Sequence, residues 1–332
     1  MNSCVLGAGA WGTALSLHLM KKGHSVSLAP RRMEQALDLA SNRENKAYLP
    51  EIKLPDSLQI GFELEPLLME ADVLYFACPS KGLRSLCQRI QSEVKSIDQL
   101  QAIVLLCKGL ELDSTKFPSE VVQEYFPQIP ISVLSGPSNA REVALGNPTA
   151  LSLGVQLNRE ESIQIQKQIS SDCLRVYLTE DIRGVELGGV LKNVYAIGAG
   201  FCDGLQLGDN AKAAFITRAL NEMIQIGCEF GGHKETFFGL SGSGDLMATC
   251  FGQWSRNRTF GETIAKGKSP QAILSEQQTV VEGYHTIQCL FQMTKKKALS
   301  FPILNELYAI LYDNKSVEDS MYALMRRDLK SE

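Results

Sequence analysis

Residues 185–201, VELGGVLKNVYAIGAGF, are apolar on nearly every helical face, yet Lys192 stands at their middle. Leu187, Leu191, Val194 and Gly198 recur along one face, and Val190 and Ile197 fill the face beside it. Asn193 adjoins the lysine, while the only acid nearby, Glu186, lies six positions back and off that line. A low dielectric disfavours the ammonium form, so the pKa of such a lysine falls toward the range that serves proton transfer. Lys192 is therefore the candidate general acid. The competing reading is a lysine that carries its charge to water along its own aliphatic stem. Gly188, Gly189, Gly198 and Gly200 each cost about 1 kcal/mol in a helix relative to Ala. That cost points to a strand, helix or ligand coming close to the backbone.

A second set of residues suits a dinucleotide. Residues 3–6 are a short apolar run, and Gly7, Gly9 and Gly12 follow at G-x-G-x-x-G spacing before a helical pattern that Gly23 ends. Between strand and helix, the first glycine allows the tight turn and the second admits a pyrophosphate to the backbone. The third lets the helix pack on the strand. The helix start then presents its positive end to the phosphates. A plain tight turn is the alternative. Residues 25–29 read as the next strand and run into Pro30, Arg31 and Arg32, with no acid where an NAD-preferring fold bonds the ribose hydroxyls. Guanidinium forks suit a 2′-phosphate, so NADP is expected in preference to NAD; a solvated basic turn is the alternative.

Further groups could hold an anion or a carbonyl. Lys108 and the turn Gly136-Pro137-Ser138 both follow strand-like runs, at the ends where open parallel sheets bind ligands. Alone, Lys108 reads as a solvated lysine. Asp245 is the one acid in residues 239–250, GLSGSGDLMATC, read as a glycine-rich loop. Ser255, Arg256 and Asn257 precede an expected helix, where backbone amides and a guanidinium would cradle an anion. Capping by Ser255 or Asn257 is the simpler alternative. Residues 280–283, VVEG, form an apolar-acidic turn whose chemistry is not readable from the residues alone.

Positioning these groups takes an α/β half and a helical half. Beyond the first two strands, others are expected at 72–78, 102–107, 131–134, 149–153 and 174–178, with a helix from about residue 80. From residue 184 the strand signals stop. Helices are expected at 212–230, 258–265, 286–296, 303–311 and 316–327, the last capped by Ser316. The fold class is thus α/β, with an N-terminal Rossmann-type dinucleotide-binding domain over residues 1–182 and a C-terminal all-helical domain over 183–332. A chain of 332 residues is long enough for two cores. Its net charge of −4 argues against a nucleic-acid partner. Nine cysteines without a C-x-x-C pair suit reduced thiols and a cytoplasmic location. Four histidines without a ligand-like cluster give no expectation of a metal. No signal peptide and no membrane insertion are expected, since no run approaches about 18 apolar residues.

Taken in order, GAGAWGTAL, YLP, CPS, CKG, SGPSNA, GGVLKNVYAIGAG, GSGDLMATC, SRNRTFGE and VVEGYHT resemble the bacterial-type NAD(P)-dependent sn-glycerol-3-phosphate dehydrogenases, from residue 5 to about 286. LKN and SRN discriminate better than the glycine fingerprint. The resemblance implies reduction of dihydroxyacetone phosphate to sn-glycerol 3-phosphate, a precursor of phospholipids, with NADP or NAD as cofactor. It implies Lys192 as proton donor to the carbonyl oxygen and as acceptor in reverse. Lys108 would hold the substrate and border the nicotinamide, Gly136 and Ser138 would line the substrate site, and Ala140 would meet the cofactor. Asp245 would bond the substrate or the lysine. Ser255, Arg256 and Asn257 would take the phosphate, and Trp11, Arg31, Val280 and Glu282, with Arg256 beside them, would contact the cofactor. Ala10, Asn139, Ser241 and Ser243 depart from the family pattern, but none removes a charged group. A homodimer is compatible with the chain, whose oligomeric state the sequence does not set. A lysine-dependent β-hydroxyacid or sugar-acid dehydrogenase is the second enzyme reading, and the SRN segment and Asp245 argue against it. A non-enzymatic NAD(P) sensor would have no use for Lys192 and Asp245.

Overall fold

The computed structural model describes residues 1–156, 159–276 and 280–328. Its strands are β1 (Asn2–Leu6), β2 (Ser25–Ala29), β3 (Glu44–Asn45), β4 (Leu49–Lys53), β5 (Gln59–Ile60), β6 (Val73–Phe76), β7 (Ala102–Leu105), β8 (Ile131–Ser135), β9 (Thr149–Val155) and β10 (Leu174–Thr179). Eight of them form one sheet in the order β10-β9-β8-β7-β6-β1-β2-β5, and β3 and β4 make a separate antiparallel pair. Neighbours in the sheet are parallel except β8 and β9, so β9 and β10 run against the other six. Apolar runs report that a strand is buried on both faces, not which way its neighbour points. The short β3, β4 and β5 lie in the polar stretch before residue 61, where alternation is too brief to read.

The middle strands β6 (VLYF) and β7 (AIVL) are fully buried. Val73, Tyr75, Ala102 and Val104 face one core, while Leu74, Phe76, Ile103 and Leu105 face the other. The helix Ala10–Lys21 covers the first of these cores through Ala14, Leu15, Leu17 and Leu19. The helices Leu83–Glu93 and Pro118–Tyr125 cover the second through Leu83, Cys87, Ile90, Val121 and Val122. A single 3-10 turn, Ser80–Gly82, precedes Leu83–Glu93 at the helix start expected near residue 80.

After β10 every described element is helical. The central helix, Ile182–Gly204, is 23 residues long and buried along almost all of its length. Asp181 caps it, accepting from the Gly184 amide at 2.8 Å, and holds the next layer by accepting from the His233 amide and the Thr236 hydroxyl. Its apolar sides pack into a core with the helices Gly208–Glu229, Arg256–Ala265, Glu282–Lys296 and Pro302–Tyr312. The glycines of the central helix mark close approaches. A Cβ on Gly188 would strike the Ser241 carbonyl, one on Gly198 the Phe215 ring, and one on Gly200 the Arg258 carbonyl.

The helical half departs from expectation in its details. Residues 239–250 are not a loop: a π-helical turn, Leu240–Gly244, runs into the helix Asp245–Phe251. Glycines lower helix propensity, but here the Phe237 backbone packs so tightly that only glycine fits at Gly242. Lys234–Phe238 and Pro270–Glu276 are short helices without a readable period. The others start earlier than the apolar pattern does, at Gly208, Arg256 and Glu282, because their first turns are polar. The final helix, Val317–Met325, is capped by Ser316, whose hydroxyl accepts from the Asp319 amide at 3.0 Å. Among the described residues no helix is long and apolar enough to cross a membrane.

Candidate active site

Lys192 projects from the middle of the central helix and is 6% exposed. Its ammonium donates to Asp245 Oδ1 at 2.7 Å and to the Thr249 hydroxyl at 2.9 Å. Asp245 and Thr249 are one helical turn apart on Asp245–Phe251, so one short helix supplies both partners. The second carboxylate oxygen of Asp245, Oδ2, accepts from Lys108 at 2.6 Å. Lys108 follows β7, and its ammonium also donates to the Gly136 carbonyl at 3.1 Å and the Ser138 hydroxyl at 3.4 Å, beyond the end of β8. Two ammoniums thus share one fully buried carboxylate, leaving net positive charge in a water-poor place.

The protonation of this group follows from its surroundings. Burial, with help from the nearby Lys108 charge, pulls the Lys192 pKa down to about 8 against the opposing pull of Asp245. Burial would raise the Asp245 carboxyl, yet the charges and hydrogen bonds of Lys108 and Lys192 outweigh it and hold the group below its ordinary value. Glu186, on the same helix, takes no part: it accepts from the Ser119 amide and hydroxyl at 2.8 and 2.7 Å.

An amide relay ties the site to the helices around it. Asn193 donates to the Lys108 carbonyl at 2.9 Å, Asn257 donates to Asn193 Oδ1 at 2.8 Å, and Asn257 Oδ1 accepts from the Gly283 amide at 2.9 Å. Next in the chain to Gly283, Glu282 accepts from the Ser80 hydroxyl at 2.9 Å. Burial raises the Glu282 carboxyl, opposed by Ser80 and by the positive charge of Arg256. Ser255 caps the helix Arg256–Ala265 by accepting from the Arg258 amide at 3.3 Å, and Arg256 is exposed at the first position of that helix. The capping reading holds for Ser255, and the side chains of Ser255 and Asn257 are both engaged within the protein, while Arg256 is exposed beside them.

The glycine fingerprint forms the second half of the site. Gly7 has φ of +116°, a conformation open to glycine, and its backbone lies against Ala77 and Cys78 beyond β6. Gly12 packs on the Gly7 carbonyl, whereas a Cβ on Gly9 would meet nothing within 4 Å. That open space over Gly9, at the N-cap of the helix Ala10–Lys21, fits a pyrophosphate reaching the backbone. Asn45 holds the turn, donating to the Ala8 carbonyl at 3.0 Å and the Thr13 hydroxyl at 2.8 Å. Trp11 and Ala140 are half-buried against the same core. Arg31 and Arg32 are exposed beyond β2, and Val280 is half-buried just before Glu282.

Two of the departures, Asn139 and Ser243, acquire local roles. Asn139 caps the helix Ala140–Leu145, accepting from the amides of Arg141 and Glu142. Ser241 is fully buried beside Gly188, and the Ser243 hydroxyl donates to the Phe238 carbonyl at 2.7 Å. Sequence reasoning missed Thr249, Asn45 and Ser80. Thr249 had a readable signal, four residues after the one acid of its segment; Asn45 and Ser80 had none.

Two family models match the chain: NAD-dependent glycerol-3-phosphate dehydrogenase N-terminus over residues 2–161, and C-terminus over residues 181–322. A glycerol-3-phosphate dehydrogenase (NAD(P)+) of Nitrosomonas eutropha is 42% identical over 99% of this chain and 98% of its own length. Its counterpart in a Thermoanaerobacter species is 39% identical over 100% and 99%. The crystal structure of glycerol-3-phosphate dehydrogenase from Coxiella burnetii superposes with a TM-score of 0.92 at 33% identity, covering 98% of this chain and 99% of that one.

Proposed function

Because the chain belongs to the NAD-dependent glycerol-3-phosphate dehydrogenase family, we propose a residue-level account of how it interconverts dihydroxyacetone phosphate and sn-glycerol 3-phosphate. The protein is an NAD(P)-dependent oxidoreductase. When bound at the glycine fingerprint, the nicotinamide cofactor supplies the hydride that the carbonyl carbon receives. The chain supplies the rest. Lys192 gives the carbonyl oxygen its proton in reduction and takes it back in oxidation. A lysine brought to about 8 is charged at neutral pH yet close to release, which suits both directions. Lys108 and Lys192, held on one carboxylate, polarise the carbonyl as negative charge grows on its oxygen. Arg256, with Ser255 and Asn257 and the helix start they form, takes the phosphate; Gly136 and Ser138 line the space between.

On the cofactor side, Gly7, Gly9 and Gly12 receive the pyrophosphate. Trp11, Ala140, Val280, Glu282, Lys108 and Arg256 border the dinucleotide. Arg31 and Arg32 favour NADP. The same reading assigns residues 1–182 to cofactor binding and 183–332 to substrate and catalysis, with the break between β10 and the central helix. It carries with it a supply of glycerol 3-phosphate to phospholipid synthesis, a cytoplasmic location, and a homodimer as the expected assembly.

The observation that carries the assignment is the buried Lys192–Asp245–Lys108 group. Its test is oxidation of NADPH and NADH with dihydroxyacetone phosphate by the parent enzyme and by Lys192→Met. The variant should keep the fold and its affinity for NADPH, because Met fits an aliphatic slot. Turnover should drop by roughly 10²–10⁴. A turnover within a few-fold of the parent would remove Lys192 from the proton-transfer role.

A further inference from the structure

Two thiols meet where the middle strands of the sheet end. β6 and β7 pair in register from Val73 with Ala102 to Phe76 with Leu105, and extending that register two residues past the strand ends sets Cys78 opposite Cys107. Strand alternation turns both toward one face, where Cys107 belongs to the core of Phe76 and Leu105 and Cys78 packs against it. The Cys107 thiol donates to the Cys78 carbonyl at 3.0 Å and lies 3.6 Å from the Phe76 carbonyl. Both are free thiols. Neighbouring strands lie about 4.8 Å apart, inside the Cα separation of about 4.4–6.8 Å that a disulfide spans.

Their surroundings differ in a useful way. Cys107 is 5% exposed, while Cys78 is half-buried beside the glycine fingerprint, its amide against Gly7. The neighbouring Cys78 thiol and burial hold the Cys107 thiol well above its ordinary pKa. A third thiol, Cys87, is wholly buried in the same core. Cys107 immediately precedes Lys108, whose carbonyl is held by Asn193 and whose ammonium is held by Asp245.

We propose that Cys78 and Cys107 are a peroxide-responsive pair that closes a disulfide beside Lys108 and so switches the dehydrogenase off. The sulfur of half-buried Cys78 attacks one oxygen of hydrogen peroxide, the O–O bond breaks, and the other oxygen leaves as water with the thiol proton, giving Cys78 sulfenic acid. The Cys107 sulfur then attacks the Cys78 sulfur, the S–O bond breaks, and the hydroxyl leaves as water with the Cys107 proton. Two thiols lose two electrons and two protons in all, and one peroxide becomes two waters. To form the bond the Cys107 side chain turns from the Cys78 carbonyl to the Cys78 sulfur, and this shifts the adjoining Lys108 backbone and loosens its ammonium from Asp245.

The test exposes the full, cofactor-free chain to hydrogen peroxide, follows NADPH oxidation with dihydroxyacetone phosphate, and maps peptides without reductant. Expected are an activity loss of tenfold or more that dithiothreitol reverses, and a peptide joining Cys78 to Cys107. Cys78→Ala should resist the loss, and Cys87→Ala should still undergo it. The proposal is overturned by absence of that joined peptide, by Cys78 joined to Cys87 instead, or by Cys78→Ala losing activity as fast as the parent. The peptide map of the parent decides the matter even where Cys78→Ala fails to fold.

Discussion

Asp245 is the residue on which the site's charge balance turns, since it is wholly buried and gives one oxygen to each of two lysines. Its charge is the main force holding Lys192 up against burial. Asp245→Asn keeps the shape and removes that force, so the Lys192 pKa should fall further below about 8. Reduction needs the ammonium, so kcat/KM for dihydroxyacetone phosphate should decline with rising pH at a lower pH than in the parent. Two ammoniums left without their counter-charge should also cost about 3–5 kcal/mol of stability. An alkaline limb that stays where the parent has it would separate Asp245 from the control of Lys192. Arg31 bears on cofactor choice: Arg31→Ala should raise KM for NADPH about tenfold or more and leave NADH nearly unchanged, the share of one charge-assisted pair. Equal losses on both cofactors would end that reading. Lys192 was legible in the sequence because a charge inside an apolar run stands out by itself. Its partner had no such signal in the residues themselves, for Asp245 lies 53 positions away; only the family resemblance named it, as a bond to the substrate or the lysine.

The central helix owes its place to glycines that let other backbones touch it. A Cβ on Gly200 would meet the Arg258 carbonyl, and one on Gly261 would meet the Ile197 carbonyl, so the central helix and Arg256–Ala265 approach through glycine on both sides. This contact fixes the start of the helix that carries Arg256 relative to Lys192. Two effects of Gly200→Ala oppose each other. Alanine improves helix propensity by about 0.5–1 kcal/mol, while the collision with a backbone carbonyl, which cannot swing aside, costs about 1–3 kcal/mol. The collision should win. The thermal midpoint should therefore fall, and KM for dihydroxyacetone phosphate should rise as Arg256 shifts. A raised midpoint would mean that the two helices do not touch there. At this scale the sequence disclosed that something approaches the helix, from the four costly glycines, but not which element does so. It likewise hid the helix Asp245–Phe251, because local propensity around Gly239, Gly242 and Gly244 favours a loop and only packing on Phe237 overrides it.

Across the whole molecule, the two halves are joined by groups whose burial has a measurable signature. Glu186 sits on the central helix and accepts from the amide and hydroxyl of Ser119, in the first turn of the sheet-packing helix Pro118–Tyr125. Arg183 approaches the same carboxylate at 3.5 Å. Burial raises the Glu186 carboxyl from an ordinary 4.5 to about 7, although the Ser119 bonds and Arg183 oppose it. A carboxyl whose pKa is higher folded than unfolded binds a proton on folding when the pH lies between the two values. In that window the folded state holds more protons than the unfolded one, so stability falls as pH rises. The contribution is fully favourable below 4.5, declines toward about 7, and remains at its lower level above that. Glu186→Gln has nothing to titrate and keeps an oxygen for Ser119. The stability of the parent minus that of the variant should therefore drop by up to about 3 kcal/mol between pH 5 and pH 8. Denaturant unfolding of both proteins across that range gives the difference directly, with other titrating groups common to both and cancelling. Curves that stay parallel from pH 5 to pH 8 would show that Glu186 is already ionised throughout, and that the joint between sheet and central helix carries a full charge at every working pH.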